Sequence, residues 1–246
     1  MEEYRALLAA DVEGFTTHPD TALPDVSLYF QRVIRDACEA SGLGKSWDAL
    51  AFRVFKGDGV LAAFPIQALA RLIDPFAAHV QHRLSDMRPE LRSQGIRLRL
   101  RLALHAGLLD DRRPDTPGVS AATNTVSRLL NSQPLYRALE ESDPDVTFTA
   151  ILLSSEVFEN TVVGGRTTLR PSQFTKVEAT SKRFHQPGYL YVPIPSTGLI
   201  QNVSTSADPR GGPGSRPPMW MSNHVKHGNI NNGVVQGHQI AWSRDA

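Results

Sequence analysis

The sequence predicts an α+β fold in which one mixed sheet is packed by helices. Three observations carry this. Short apolar runs with strand character alternate with longer stretches of helical periodicity. The stretch IRLRLRLALHAG, residues 96–107, has the period-two pattern of a half-buried strand. Finally, 246 residues with 41% hydrophobic content suffice for one substantial core.

The elements follow in order. Residues 5–10 read as a short buried strand. Pro24 and Asp25 offer helix-opening chemistry. Val26, Tyr29, Phe30, Val33, Ile34 and Ala37 then recur at helical spacing until Gly42. The runs LAFRVF and VLAAF flank KGDG, a hairpin signal that places Asp58 at the tip. Residues 66–90 read as helical, with a boundary or kink at Pro75.

In the strand that follows, alternation puts Ile96, Leu98, Leu100, Leu102 and Leu104 on a packed face. Arg97, Arg99, Arg101, Ala103 and His105 fall on the other, expected to be a solvated or dimer surface. DDRRPDTPG is a loop by composition, and SAATNTVSRLLNS is a helix carrying Asn124 and Arg128 on one face. VTFTAILLS, TKVEA and GYLYVPI read as late strands. The core is expected to span residues 1–195, followed by a Gly/Pro/Ser-rich linker over 196–218 and a flexible C-terminal docking segment over 219–246.

Composition narrows the function classes. A formal net charge of +1 gives no bulk reason to bind nucleic acid or membrane. Cys38 is the single cysteine, so neither an intrachain disulfide nor a cysteine-based zinc site is available. A reduced, cytoplasmic setting fits. No apolar run has the length of a membrane span, and MEEYRALLAADVEG has acids where a secretory signal needs basic residues.

Chemistry concentrates on two aspartates. Asp11 in AADVEGFT and Asp58 in FKGDGVLAAF each adjoin an apolar run and glycine-bearing backbone. Such a pair suits hard divalent cations, which take oxygen ligands and can serve nucleotide phosphates in twos. The order strand, helix, hairpin, helix, strand suggests a ferredoxin-like βαββαβ sandwich with extra late strands.

With DVEGFT, the GDG hairpin, LALHAG and NTVSR in this order, the chain resembles the class III nucleotidyl cyclases from about residue 4 to about residue 195. The resemblance implies that Asp11, Asp58 and the carbonyl of Val12 hold two ions, Mn2+ or Mg2+. It implies that the loop from Val12 to Thr16 meets a triphosphate, with Gly14 allowing close approach and Phe15 beside the nucleotide. Asn124 and Arg128 would orient the ribose and stabilise phosphate charge, supplied by the opposite subunit of a head-to-tail homodimer. Lys182, or Arg183, matches a phosphate-binding lysine.

Adenylyl members of the family place a lysine where this chain has Val54 and an acid within the stretch PGVSAAT, which has none. Arg53 and Lys56 flank the slot instead. In this the chain resembles the pyrimidine cyclases of bacterial Pycsar antiphage systems, which make cyclic UMP or cyclic CMP for a separately encoded effector. Cyclic UMP is the favoured product. An adenylyl or guanylyl cyclase, or an inactive cyclase-fold scaffold acting through its C-terminal segment, is the alternative.

Overall fold

The computed structural model describes residues 1–196 except Asp111, Pro114, Lys182 and Arg183. The expected phosphate-binding Lys182 and, beyond Ser196, the expected linker and docking segment lie outside the described residues. The strands are β1 (Glu3–Val12), β2 (Arg53–Lys56), β3 (Gly59–Pro65), β4 (Leu100–Leu109), β5 (Thr149–Ser154), β6 (Thr175–Ser181) and β7 (Phe184–Tyr191). The helices are α1 (Leu23–Ala40), α2 (Gly44–Asp48), α3 (Leu69–Ile73), α4 (Phe76–Ser93), α5 (Ala121–Leu130) and α6 (Gln133–Glu140).

The seven strands form one sheet in the order β2-β3-β1-β4-β5-β7-β6. Neighbours among the first four are all antiparallel. With α1 and α4 packed together as the crossovers, this is the expected ferredoxin-like βαββαβ arrangement. β5 then pairs parallel to β4, and β7 and β6 extend the sheet antiparallel.

The sheet separates two apolar layers. α1 buries Val26, Phe30, Val33, Ile34, Ala37 and Cys38 as one stripe against Ala6, Leu8 and Ala10 of β1 and Leu100, Leu102 and Leu104 of β4. On the other face, Val126, Leu129, Leu135 and Leu139 of α5 and α6 cover Leu7, Ala9 and Ala103. Each fully buried leucine contributes roughly 1.5–3 kcal/mol of transfer free energy.

Several boundaries differ from the sequence reading. β1 runs on through Asp11 and Val12, because β3 and β4 offer ladder partners on both sides. β2 is shorter than LAFRVF: Leu50, Ala51 and Phe52 form the connection from α2, whose Trp47 packs edge-on to Phe55 and stacks on Phe64. The Asp74–Pro75 joint separates α3 from α4, as Pro75 suggested. α6 was not anticipated from QPLYRALE. Of the expected arginine face only Arg97 is exposed: Arg99, just before β4, and Arg101 within it are 9% and 6% exposed. α5 and α6 lie over this face, and both guanidinium groups find buried acceptors beneath them. Among the described residues no helix is long and apolar enough to cross a membrane.

Candidate active site

Two local devices bring the aspartates together. β2 and β3 close around Gly57 and Asp58, with Lys56 paired to Gly59 and Gly57 at φ 58°, a left-handed value that favours glycine. Asp58 therefore stands at the hairpin tip. The Val12 N–H donates to the Asp58 carbonyl at 2.8 Å, tying that tip to the end of β1. Asp11 faces Gly59 across one ladder and Arg101 across the other. A Cβ on Gly59 would lie 3.1 Å from the Ala10 carbonyl, so the glycine lets β3 sit close beside Asp11.

Arg101 holds Asp11 through two parallel bonds, Nε to Oδ1 at 2.9 Å and Nη2 to Oδ2 at 2.8 Å. Its guanidinium lies 3.7 Å from the centroid of the Tyr136 ring. Burial pushes the Asp11 carboxyl up from 3.8 to about 6; Arg101 opposes the shift, while the charges of Asp58 and Glu13 add to it. A carboxyl that binds its proton more tightly when folded contributes stability that is full below its unfolded value and lost as pH rises through about 6. The unfolding free energy of the wild type, measured against Asp11→Asn, is therefore expected to fall by roughly 2 kcal/mol between about pH 4 and pH 6. Parallel denaturation curves for the two proteins over that interval would show instead that Arg101 keeps Asp11 ionised throughout.

The loop after β1 is anchored at its base. The Glu13 carboxylate pairs with Arg99 at 3.1 Å and its N–H donates to the Arg99 carbonyl at 2.9 Å. Gly14 adopts φ 63°, and its carbonyl accepts from the Thr17 N–H and hydroxyl at 2.9 and 2.6 Å. Phe15 is half-buried against the core, and the His18 ring nitrogens lie 3.1 Å from the carbonyls of Phe15 and Arg97.

α5 opens with a reciprocal capping box between Ser120 and Thr123, so its register is set at the first turn. Asn124 and Arg128 then project one turn apart from its exposed side. Asn124 lines an open cleft of about 590 Å³ together with Asp11, Asp58, Lys56 and Val54. The rest of its wall includes Phe52, Pro117 and Val119. Arg128 lies in an adjoining cavity of about 990 Å³, which shares Asn124 and includes Tyr136 and Phe184.

The donors fit a hard divalent cation: two carboxylates at one end of a cleft, next to strand-end backbone. Among the described residues the Asp58 carboxylate has no ion-pair partner, whereas Asp11 is already engaged by Arg101. Among those residues no group of three or more His, Cys, Asp or Glu converges as a metal cage, so any ion there would rely on these two acids, backbone and ligand oxygens.

Solved structures share this architecture. The guanylyl cyclase Cya2 superposes with a TM-score of 0.51 over 78% of this chain and 92% of its own, at 16% identity. The adenylyl cyclase CyaB from P. aeruginosa gives 0.51 over 78% and 95%, at 17% identity. A bacterial light-regulated adenylyl cyclase gives 0.55 over 82% and 56%, at 13% identity. This is the fold of a class III nucleotidyl cyclase catalytic domain. No protein-family model matches the sequence, and no curated protein matches it either.

On this cyclase fold Asp11, Asp58, Lys56 and Asn124 are gathered at one cleft, within a single chain. Arg53 is placed elsewhere: its Nη1 donates to the Trp47 carbonyl at 2.7 Å and its guanidinium lies over the Trp47 ring. Strand alternation explains this, since Val54 and Lys56 fall on the cleft face of β2 and Arg53 on the other. Sequence reasoning missed Arg101 and Tyr136. The available signal was parity: Arg101 shares its face of β4 with Ala103, which lies in the same apolar layer as Leu7 and Ala9 of β1.

Proposed function

We propose that the chain is a metal-dependent nucleotidyl cyclase that converts a pyrimidine nucleoside triphosphate, UTP by preference, to the 3′,5′-cyclic monophosphate and pyrophosphate. The observation that carries this reading is the cleft in which both aspartates and Asn124 meet an apolar wall of Phe52, Val54, Pro117 and Val119. Val54, and the stretch PGVSAAT with no acid in it, replace the lysine and the acid that the adenylyl members of the family carry. A purine product is the second reading, favoured by the adenylyl and guanylyl cyclases among the structural neighbours.

In this mechanism the substrate's 3′-oxygen attacks its own α-phosphorus and pyrophosphate leaves. Asp11, Asp58 and the Val12 carbonyl would hold two divalent ions, which when bound would lower the pKa of the attacking hydroxyl and neutralise the triphosphate. Asn124 orients the ribose, and Arg128 sets a planar fork against charge that develops on the phosphates. Lys56, exposed beside Asp58, is placed to meet a phosphate or a base carbonyl. Gly14 and Phe15 shape the loop that receives the triphosphate, and Lys182 adds a further phosphate contact. The working form is a homodimer in which Asn124 and Arg128, which share the exposed face of α5, serve the partner protomer's site together, although Asn124 also borders the aspartates of its own chain. The product serves as a messenger to a separate effector in phage defence.

The test is direct. Protein incubated with each of the four nucleoside triphosphates and Mn2+ is expected to give a cyclic pyrimidine mononucleotide by mass spectrometry. Asn124→Ala is expected to slow product formation by roughly 10²-fold. A product from ATP or GTP alone removes the pyrimidine reading, and no product from any triphosphate removes the enzyme.

A further inference from the structure

Tyr136 stands on α6 at the wall of the larger cavity and is 41% exposed, yet its ring does more than close a gap. One face packs on the guanidinium of Arg101, and its hydroxyl donates to the Asn131 Oδ1 at 3.3 Å. Arg101 is thus fixed on two sides. Its edge is committed to both oxygens of Asp11, and its face is committed to an aromatic ring in a site largely removed from water.

The consequence falls on Asp11. A carboxylate that gives both oxygens to an arginine fork offers them less readily to a hard cation, which needs the same lone pairs. Asp58, by contrast, has an exposed carboxylate with no ion-pair partner among the described residues. The two acids of the cleft are therefore unequal in the free protein. One is already balanced by an internal cation, and the other is open.

We propose that Tyr136 is a positioning residue for metal binding: its ring seats Arg101 on Asp11, so that a divalent ion engages Asp11 only as the guanidinium gives way. This rests on reading Asp11 as a metal ligand. Tyr136 touches neither the ion nor the reacting atoms. Its effect passes through Arg101, whose hold on Asp11 weakens when the ring is lost while its positive charge stays nearby.

Binding of Mn2+ alone to the full chain, followed by electron paramagnetic resonance without nucleotide, tests this apart from turnover. Tyr136→Leu is expected to bind Mn2+ roughly three- to tenfold more tightly than the wild type. Tyr136→Phe keeps the ring and loses only the bond to Asn131, so it is expected to match the wild type. Unchanged affinity in Tyr136→Leu overturns the proposal, as does a Tyr136→Phe protein that behaves like Tyr136→Leu. Asp11→Asn is expected to lose most of the binding. Wild-type Mn2+ affinity in that variant overturns the metal-site reading beneath the proposal and is recognisable independently of the Tyr136 comparison.

Discussion

Asp58→Ala is expected to lower cyclic-nucleotide formation by roughly 10²- to 10³-fold while leaving the thermal unfolding midpoint nearly unchanged. Both halves follow from where the side chain stands. Asp58 occupies an exposed hairpin tip, where Gly57 supplies the turn and the Asp58 carbonyl, retained in alanine, accepts the Val12 N–H. Its carboxylate makes no ion pair among the described residues, so folding loses little when it goes. On the proposed reading, catalysis loses an oxygen donor for the divalent ion. The check is a product assay by mass spectrometry beside a melting curve, and more than a tenth of wild-type turnover in Asp58→Ala would remove Asp58 from the site.

Arg99→Met is expected to do the opposite, costing roughly 3–5 kcal/mol of unfolding free energy. Arg99 donates to the carbonyls of Thr147 and Leu139 and to the Ser142 hydroxyl, and it pairs with Glu13. Methionine fills similar volume but leaves the Thr147 carbonyl without this donor and a partly buried carboxylate without its cation, while the Leu139 carbonyl keeps the Ser142 N–H and hydroxyl. Glu13 lies two residues beyond Asp11, so the loop that follows β1 is expected to loosen as well. Urea denaturation of the two proteins measures the difference, and a loss below about 1 kcal/mol would show that water replaces these bonds. Arg99→Lys is expected to recover only part, because an ammonium cannot span the same fork of acceptors.

Much of the site was legible in the residues themselves. Asp58 at a hairpin tip follows from KGDG between apolar runs, because a tight turn has few chemical solutions. Asn124 and Arg128 on one face of α5 follow from their spacing and a capped helix start. Gly14 turns the chain just after β1, and Phe15 packs against the core rather than lining the cleft. Arg53 did not follow, since LAFRVF gives no sign of where β2 begins. One residue of register decides which face an arginine takes.

Periodicity and turn chemistry are local, and they determined the strand and helix order, the ferredoxin-like core and the hairpin that carries Asp58. The arginine stripe on β4 is the case they could not decide. Alternation told that Arg99 and Arg101 share a face, but whether that face meets water depends on helices twenty or more residues downstream. Once α5 and α6 cover it, a buried guanidinium must find acceptors, because leaving one unpaired costs several kcal/mol. Arg101 finds Asp11 from ninety residues away, and Tyr136 closes over it. The sequence by itself marked two acids as equals. The tertiary structure made one of them open and the other held.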